Sequence, residues 1–298
     1  MNRSQQKKIM CVGEILWDAL PQGLFLGGAP FNVACHLKML NENVVMLSKV
    51  GNDVLGNQAI KRILNKNLIK DFIQVDKKHQ TGFVDVTLDN NGNAKYEIVE
   101  QVAWDFIISN NNGVIKEAET CDIIVFGTLA QRNSITRKTI NALLKLNKIN
   151  IYDVNLRPPF TDLKIIENSL KAASIVKLND EEFLKMADWF DINSNLIIGI
   201  KQLAKKFNCE TVCITKGSKG AIIYRKDKIT EHKGFKVKIM DTVGSGDSFL
   251  AALIHGIIQK YNNEEILNFA NAVGAFVATK NGATPNLDFN EIKKLQLS

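Results

Sequence analysis

The run Asp241-Thr242-Val243-Gly244-Ser245-Gly246-Asp247-Ser248-Phe249-Leu250-Ala251-Ala252 decides how the rest of this chain reads. Gly244 and Gly246 carry no Cβ, so the backbone can turn sharply there and bring its N–H groups close to a ligand. Behind them Phe249, Leu250, Leu253, Ile254, Ile257 and Ile258 recur at helical spacing, and Ala251, Ala252 and Gly256 permit close packing. A glycine loop opening into a helix offers free N–H groups and a positive dipole end, which suits an anion, phosphate above all. Asp247 stands against that background, because a carboxylate repels phosphate. Two readings fit it: an ordinary helix N-cap, or a base that takes the proton of a hydroxyl attacking a phosphoryl group.

Outward from this loop, short β-type runs alternate with helical patterns. Ile9-Met10-Cys11-Val12 leads into a glycine-rich turn and a helix from Pro30 to about Leu40, with Pro30 suited to a first helical position. Val44 to Val50 reads as a strand, followed by a helix over 53–66. Further strands are expected over 123–126, 149–153, 175–178, 211–215 and 221–224, with helices such as 134–147 and 195–207 between them. Two helices rich in small residues follow at 247–260 and 264–280, the second closed by Asn281-Gly282. This alternation predicts an α/β fold, a mostly parallel sheet with helices on both faces.

One segment departs from the rhythm. Thr81 to Leu88 and Ala94 to Gln101 flank Asp89-Asn90-Asn91-Gly92-Asn93, a hairpin signal, with Val84, Val86 and Leu88 on one face. It reads either as a projecting flap joined by Leu16–Leu26 or as a plain edge hairpin.

Composition narrows the function classes. Of 298 residues, 45% are hydrophobic and 23% charged, which fits a globular chain with a sizeable core. The net charge of +7 comes from scattered lysines without a run of five basic residues, so no nucleic-acid partner is expected. Cys11, Cys35, Cys121, Cys209 and Cys213 sit in apolar surroundings and read as free thiols of a reducing cytoplasm. Glu14 and Asp18 break the first apolar stretch, so neither a signal peptide nor a membrane span is expected.

Several common motifs are absent. Gly51 and Gly56 have Walker A spacing, but Asn57 follows where that loop needs Lys. Gly244 and Gly246 are followed by Phe249 where a dinucleotide fingerprint needs Gly. His36, His79, His232 and His255 form no cluster, so a histidine metal centre or triad is not expected. Three further segments carry candidate chemistry. Gly27-Gly28-Ala29-Pro30-Phe31-Asn32 can hydrogen-bond a polyhydroxylated ligand, or make a tight turn with a satisfied Asn. Asn179-Asp180-Glu181-Glu182 can order water around Mg²⁺, or cap a helix with an acidic first turn. Thr215-Lys216-Gly217-Ser218-Lys219-Gly220 can line a nucleotide, or form a glycine-rich turn.

Together these segments are specific. Gly27-Gly28-x-x-x-Asn32 with Gly51 and Gly56 downstream, and Asp241-Thr242-x-Gly244-x-Gly246-Asp247, resemble the two motifs of the ribokinase-like (PfkB) carbohydrate kinases. Asn179-x-x-Glu182 is similar to that family's Mg²⁺-associated motif, and Thr215-x-Gly217-x-x-Gly220 to its nucleotide loop. Gly13-Glu14-Ile15-Leu16-Trp17-Asp18, Gly28-Ala29-Pro30, Val102-Ala103-Trp104-Asp105 and Asp153-Val154-Asn155-Leu156-Arg157 look most like fructokinases.

The resemblance implies a single domain over 1–298: a three-layer α/β/α core with a small β-sheet lid formed by about 16–26 and 81–101. It implies ATP-dependent transfer of the γ-phosphate to a primary hydroxyl of a monosaccharide, with D-fructose foremost. Ribose, 2-keto-3-deoxygluconate, a nucleoside or a non-catalytic sugar-binding role are the alternatives. Asp18, Gly28 and Asn32 match sugar contacts, with Trp104 and Arg157 also on the substrate side. Asp247 matches the base, and Gly244, Ser245 and Gly246 the anion hole. Thr215, Gly217 and Gly220 match the ATP loop, with Asn271 near adenine. Asn179 and Glu182 match residues that hold Mg²⁺ through water, and Asp241 a carboxylate that helps bind a monovalent cation such as K⁺. A cytoplasmic homodimer joined through its lids completes the expectation, with no nucleic-acid or membrane partner.

Overall fold

The computed structural model of the chain describes residues 6–20, 23–88, 94–109 and 112–298, without the side chains of 20, 86–88, 94–96 and 112. From the N-terminus the elements are β1 (Lys8–Val12), β2 (Leu16–Leu20), β3 (Gly23–Gly27), α1 (Ala29–Met39), β4 (Asn43–Gly51), α2 (Val54–Asn65), β5 (Ile73–Asp76), β6 (Gly82–Leu88) and β7 (Ala94–Ile98). Next come α3 (Asn112–Thr120), β8 (Ile123–Gly127), α4 (Ser134–Leu144), β9 (Ile149–Asp153), α5 (Leu163–Ala172), β10 (Ile175–Asn179), α6 (Asp180–Trp189), α7 (Leu196–Phe207) and β11 (Thr211–Thr215). β12 (Ala221–Arg225), β13 (Lys228–His232), α8 (Ser245–Ile258), α9 (Asn263–Ala278) and α10 (Phe289–Gln296) complete the order.

Nine strands form the main sheet in the order β13-β12-β11-β10-β9-β8-β1-β4-β5. All neighbours from β11 to β5 pair in parallel; β12 and β13 join antiparallel at one edge. The parallel strands are apolar almost throughout, as burial on both faces requires: every residue of β8 is buried. Successive residues of one strand feed opposite layers. Ile9 and Cys11 of β1 pack with Leu253 and Ile254 of α8 and Val273 of α9. Met10 and Val12 pack with Ile140 of α4, Leu170 of α5 and Ile200 of α7. The result is a three-layer α/β/α arrangement with a mostly parallel sheet, as expected.

A second sheet has the order β3-β2-β6-β7. Its β2–β3 and β6–β7 pairs are antiparallel, and β2 pairs in parallel with β6. The two segments expected to associate, 16–26 and 81–101, therefore do so. The hairpin's second arm is shorter than expected, ending at Ile98, because the Arg132 guanidinium takes the carbonyls of Ile98 and Val99. Beyond it Ala103–Phe106 makes a 3-10 turn. Val84, expected on an apolar face of the flap, is 8% exposed; Val86 and Leu88 lie outside the described side chains.

β5, β13 and α10 were not foreseen. β13 is a half-exposed edge strand, and β5 is a four-residue edge strand, so neither carries a long apolar run. α8 begins at Ser245, two residues before the expected 247, with Gly244 as its N-cap and no side-chain cap hydrogen bond. Asp247 thus lies inside the first turn and does not serve as an N-cap.

Candidate active site

A cleft of about 1000 Å³ opens where the C-terminal ends of β10 and β11 meet the N-termini of α1 and α8, under β2, β6 and β7 of the second sheet. Open α/β sheets collect their ligands at this end, because loops and helix N-termini converge there.

Two glycines shape its walls. Gly28 has φ 113°, and a Cβ on it would lie 2.3 Å from the Glu14 carbonyl oxygen. No other residue lets α1 start so close to the end of β1. Gly244 has φ 77°, and a Cβ there would meet the Ala283 carbonyl oxygen at 2.3 Å. The loop is held on three further sides. Asp241 accepts from the N–H groups of Val243 (2.9 Å) and Gly282 (3.1 Å), and Ser245 Oγ donates to the Gly274 carbonyl of α9 (2.7 Å). The N–H groups of Gly246 and Asp247 make no hydrogen bond among the described residues. They form a rigid pair of donors at the positive end of α8.

Asp247 Oδ2 accepts from Asn32 Nδ2 at 2.8 Å, which joins α8 to α1. Burial pushes Asp247 up to about 6, the Asp153 charge adds to this, and Lys177, Asn32 and Arg157 oppose it. Burial also raises Asp18 to about 6, against the pull of Arg157 and with the push of Asp247. Glu14 rises to about 7, chiefly through burial. Lys177, 6% exposed, bonds Asp153 Oδ1 at 3.1 Å. Burial works to discharge it, but Asp153, Glu182 and Asp247 outweigh that and hold it charged. Glu14 Oε2, Asn32 Oδ1 and Asp153 Oδ2 are buried without a hydrogen-bond partner. Each of these atoms, in its charged or amide form, accepts hydrogen bonds and calls for a donor.

The cleft brings together Asp18, Gly28, Asn32, Arg157, Asn179, Thr215, Gly244, Gly246 and Asp247 of the expected residues. Trp104 is not brought there. Its ring is 0% exposed beneath Arg132, whose guanidinium sits 4.0 Å above it and pairs with Asp105 at 2.8 Å. Arg132 also lies 4.7 Å over Phe160, so Trp104 supports the cleft wall from behind.

Glu182 is 6% exposed, and its carboxylate accepts from the backbone N–H groups of Leu156 (2.7 Å) and Asn179 (2.8 Å). Asn179 Oδ1 accepts from Glu182 N–H in return, so this pair is a capping box at the start of α6. With these oxygens occupied by backbone donors, the pair fits the water shell of a cation better than its direct coordination. Among the described residues no group of three or more His, Cys, Asp or Glu is placed to hold a metal. Gly217 opens the 3-10 turn after β11 and Gly220 caps its end, and Asn271 is buried in α9, donating to the Leu267 carbonyl at 2.7 Å.

Lys177, Phe160, Glu97 and Glu100 line the cleft without having been singled out. Lys177 had a legible signal: a charge inside the buried run Ile175-Val176-Lys177-Leu178. Glu14 was noted only as a break in the first apolar stretch, and Asp153 and Asn155 only inside a quoted run; nothing local distinguishes them from polar residues at strand ends.

Fold and cleft together are those of a ribokinase-like protein. Residues 8–290 match the pfkB family carbohydrate kinases, and the chain belongs to that family. It is therefore a sugar kinase. It is 30% identical over 279 residues to a sugar kinase of Pyrococcus horikoshii, covering 88% of this chain and 84% of that one. A structure of that uncharacterised protein in complex with ATP superposes with a TM-score of 0.80 at 27% identity, over 96% of this chain and 99% of the other. Fructokinase-2 of Zea mays is 27% identical over 312 residues, 94% of this chain and 90% of its own. A Vibrio cholerae fructokinase variant solved with fructose, ADP and a potassium ion has the same fold, with a TM-score of 0.81 at 21% identity over 98% of each chain. Among the described residues no helix is long and apolar enough to cross a membrane.

Proposed function

We propose that this sugar kinase is a fructokinase, transferring the γ-phosphate of ATP to a primary hydroxyl of D-fructose. The observation that carries the reading is Asp247: a carboxylate raised to about 6, held by Asn32, beside two unpaired N–H donors of a helix terminus. As the sugar oxygen forms its bond to phosphorus and the bond to the β-phosphate oxygen breaks, Asp247 receives the hydroxyl proton. The Gly246 and Asp247 N–H groups and the α8 dipole stabilise the charge spreading over the phosphoryl oxygens. Asn179, backed by Glu182, would face the water shell of a nucleotide-bound Mg²⁺, which would supply neutralisation of phosphate charge. Thr215 with Gly217 and Gly220 would border the nucleotide, and Asp241 with Gly282 a monovalent cation. The second sheet serves as a lid that excludes water, and the whole chain acts as one kinase domain.

Fructose is favoured over the alternatives by the cleft's chemistry. Glu14, Asp18, Glu97 and Glu100 line it against Arg157 and Lys177, which suits neutral hydroxyls better than a sugar acid. The unpartnered oxygens of Glu14 and Asn32 want hydroxyl donors. A nucleoside would need a broad aromatic slot, and among the described residues only Phe160 offers an aromatic ring to the cleft, Trp104 being withdrawn from it. The plant fructokinase relatives and the fructose-bound Vibrio structure point the same way. Five buried free cysteines suit a reducing cytoplasm. Lid-to-lid dimerisation is part of the proposal, and light scattering of a monomer at micromolar concentration contradicts it.

The test is coupled ADP release over a sugar panel. kcat/KM for fructose should exceed that for ribose, 2-keto-3-deoxygluconate and adenosine by about tenfold or more. A better rate with any of these refutes the fructose assignment; no ADP release with any sugar refutes the kinase reading.

A further inference from the structure

Lys177 takes no part in the motifs of this family quoted above, yet its position is chemically odd. Alternation along β10 sends Val176 and Leu178 into the layer of α4 to α7, and Ile175 into the layer of α8. Lys177 follows Ile175, so its side chain rises on the α8 side. A Cβ on Gly246 would lie 3.2 Å from Lys177 Nζ, which puts the ammonium against the first turn of α8. A cation beside a helix N-terminus is unfavourable unless an anion lies between them. Asp153, its register partner on β9, binds it at 3.1 Å and supplies its one hydrogen bond among the described residues. An ammonium has three donors, so the remaining ones are free toward the cleft that Lys177 lines.

Resting on the kinase reading above, we infer that Lys177 is a catalytic residue: its ammonium, with the Gly246 and Asp247 N–H groups, clamps the phosphoryl group in transfer. Asp153 is its positioning residue. Lys177 keeps its proton throughout; the hydroxyl proton goes to Asp247, and the electron pair of the broken P–O bond leaves with ADP. A Cβ on Gly246 would press on this ammonium by a few tenths of an ångström.

Lys177→Met and the double variant Asp153→Asn/Lys177→Met, which leaves no buried charge of this pair unmatched, are compared with the wild type. In steady-state assays with fructose and ATP, both variants should lose about 10²-fold or more in kcat, with KM for fructose little changed. Thermal unfolding of the double variant should match the wild type. In calorimetry the wild type should bind ATP more tightly than ADP, and Lys177→Met should bind the two alike, a ratio that a merely structural lysine would not alter. A folded Lys177→Met or double variant with near-wild-type kcat, or with the ATP preference intact, overturns the inference and leaves the kinase reading standing. A wild type that transfers no phosphate to any sugar defeats both.

Discussion

Replacing Asp247 by Asn separates the chemistry of the site from its cost in stability. The amide still accepts from Asn32 Nδ2, so the joint between α1 and α8 survives. What disappears is a charge that the fold disfavours, because burial and then Asp153 raise the carboxyl from 3.8 to about 6. The native state therefore holds this proton more tightly than the unfolded chain does. The resulting stability is complete below 3.8 and is lost as pH rises through about 6. At full weight that displacement is worth about 3 kcal/mol, and solvent screening in the open cleft reduces it to about 1–2 kcal/mol. At pH 8 the variant should melt about 2–3 °C above the wild type. That gap should shrink toward pH 4, where the wild-type carboxyl is also neutral. Turnover should fall by about 10²-fold or more, the scale of a positioned base. Differential scanning calorimetry at both pH values, beside an ADP-release assay, reads both effects. A variant less stable than the wild type at pH 8, or one that turns over at a near-wild-type rate, refutes the reasoning.

The wild-type kcat/KM should fall on the acid side with an apparent pKa of about 6, because protonated Asp247 cannot accept the hydroxyl proton; a profile flat down to pH 5 contradicts this. Asp105→Asn leaves the 5%-exposed Arg132 without its carboxylate, and should cost about 3–5 kcal/mol, lowering Tm by about 5–8 °C. The same change should raise KM for the sugar, since Arg132 carries Ile98, Val99 and Phe160; an unchanged Tm would show the pair to be dispensable. Exchanging K⁺ for tetramethylammonium at constant ionic strength should lower turnover through the Asp241–Gly282 loop, and an unchanged rate removes the cation from the account.

The layered core was legible because parallel strands buried on both faces write continuous apolar runs, as in Ile123-Ile124-Val125-Phe126. The helix behind the loop was legible from the apolar spacing after Asp247, but its start was not, because Gly244 rather than Asp247 is the N-cap. Trp104, read on the substrate side, is buried away from the cleft under Arg132, a packing between separated segments that a sequence does not reveal. Glu182 was read as facing a cation's water or as capping a helix, and the capping box appears, with its oxygens taken by the backbone of its own helix start and of Leu156. Lys177 and Asp153 meet only through the β9–β10 register, a pairing between strands that no local pattern encodes.

The central claim, phosphoryl transfer from ATP to a sugar's primary hydroxyl, is tested most directly by the product itself. Wild-type protein incubated with fructose and ATP and followed by ³¹P and ¹³C NMR should form a phosphomonoester coupled to a CH₂ carbon of the sugar, one for each ADP released. ADP accompanied only by inorganic phosphate, or an ester on a secondary carbon, would contradict the account.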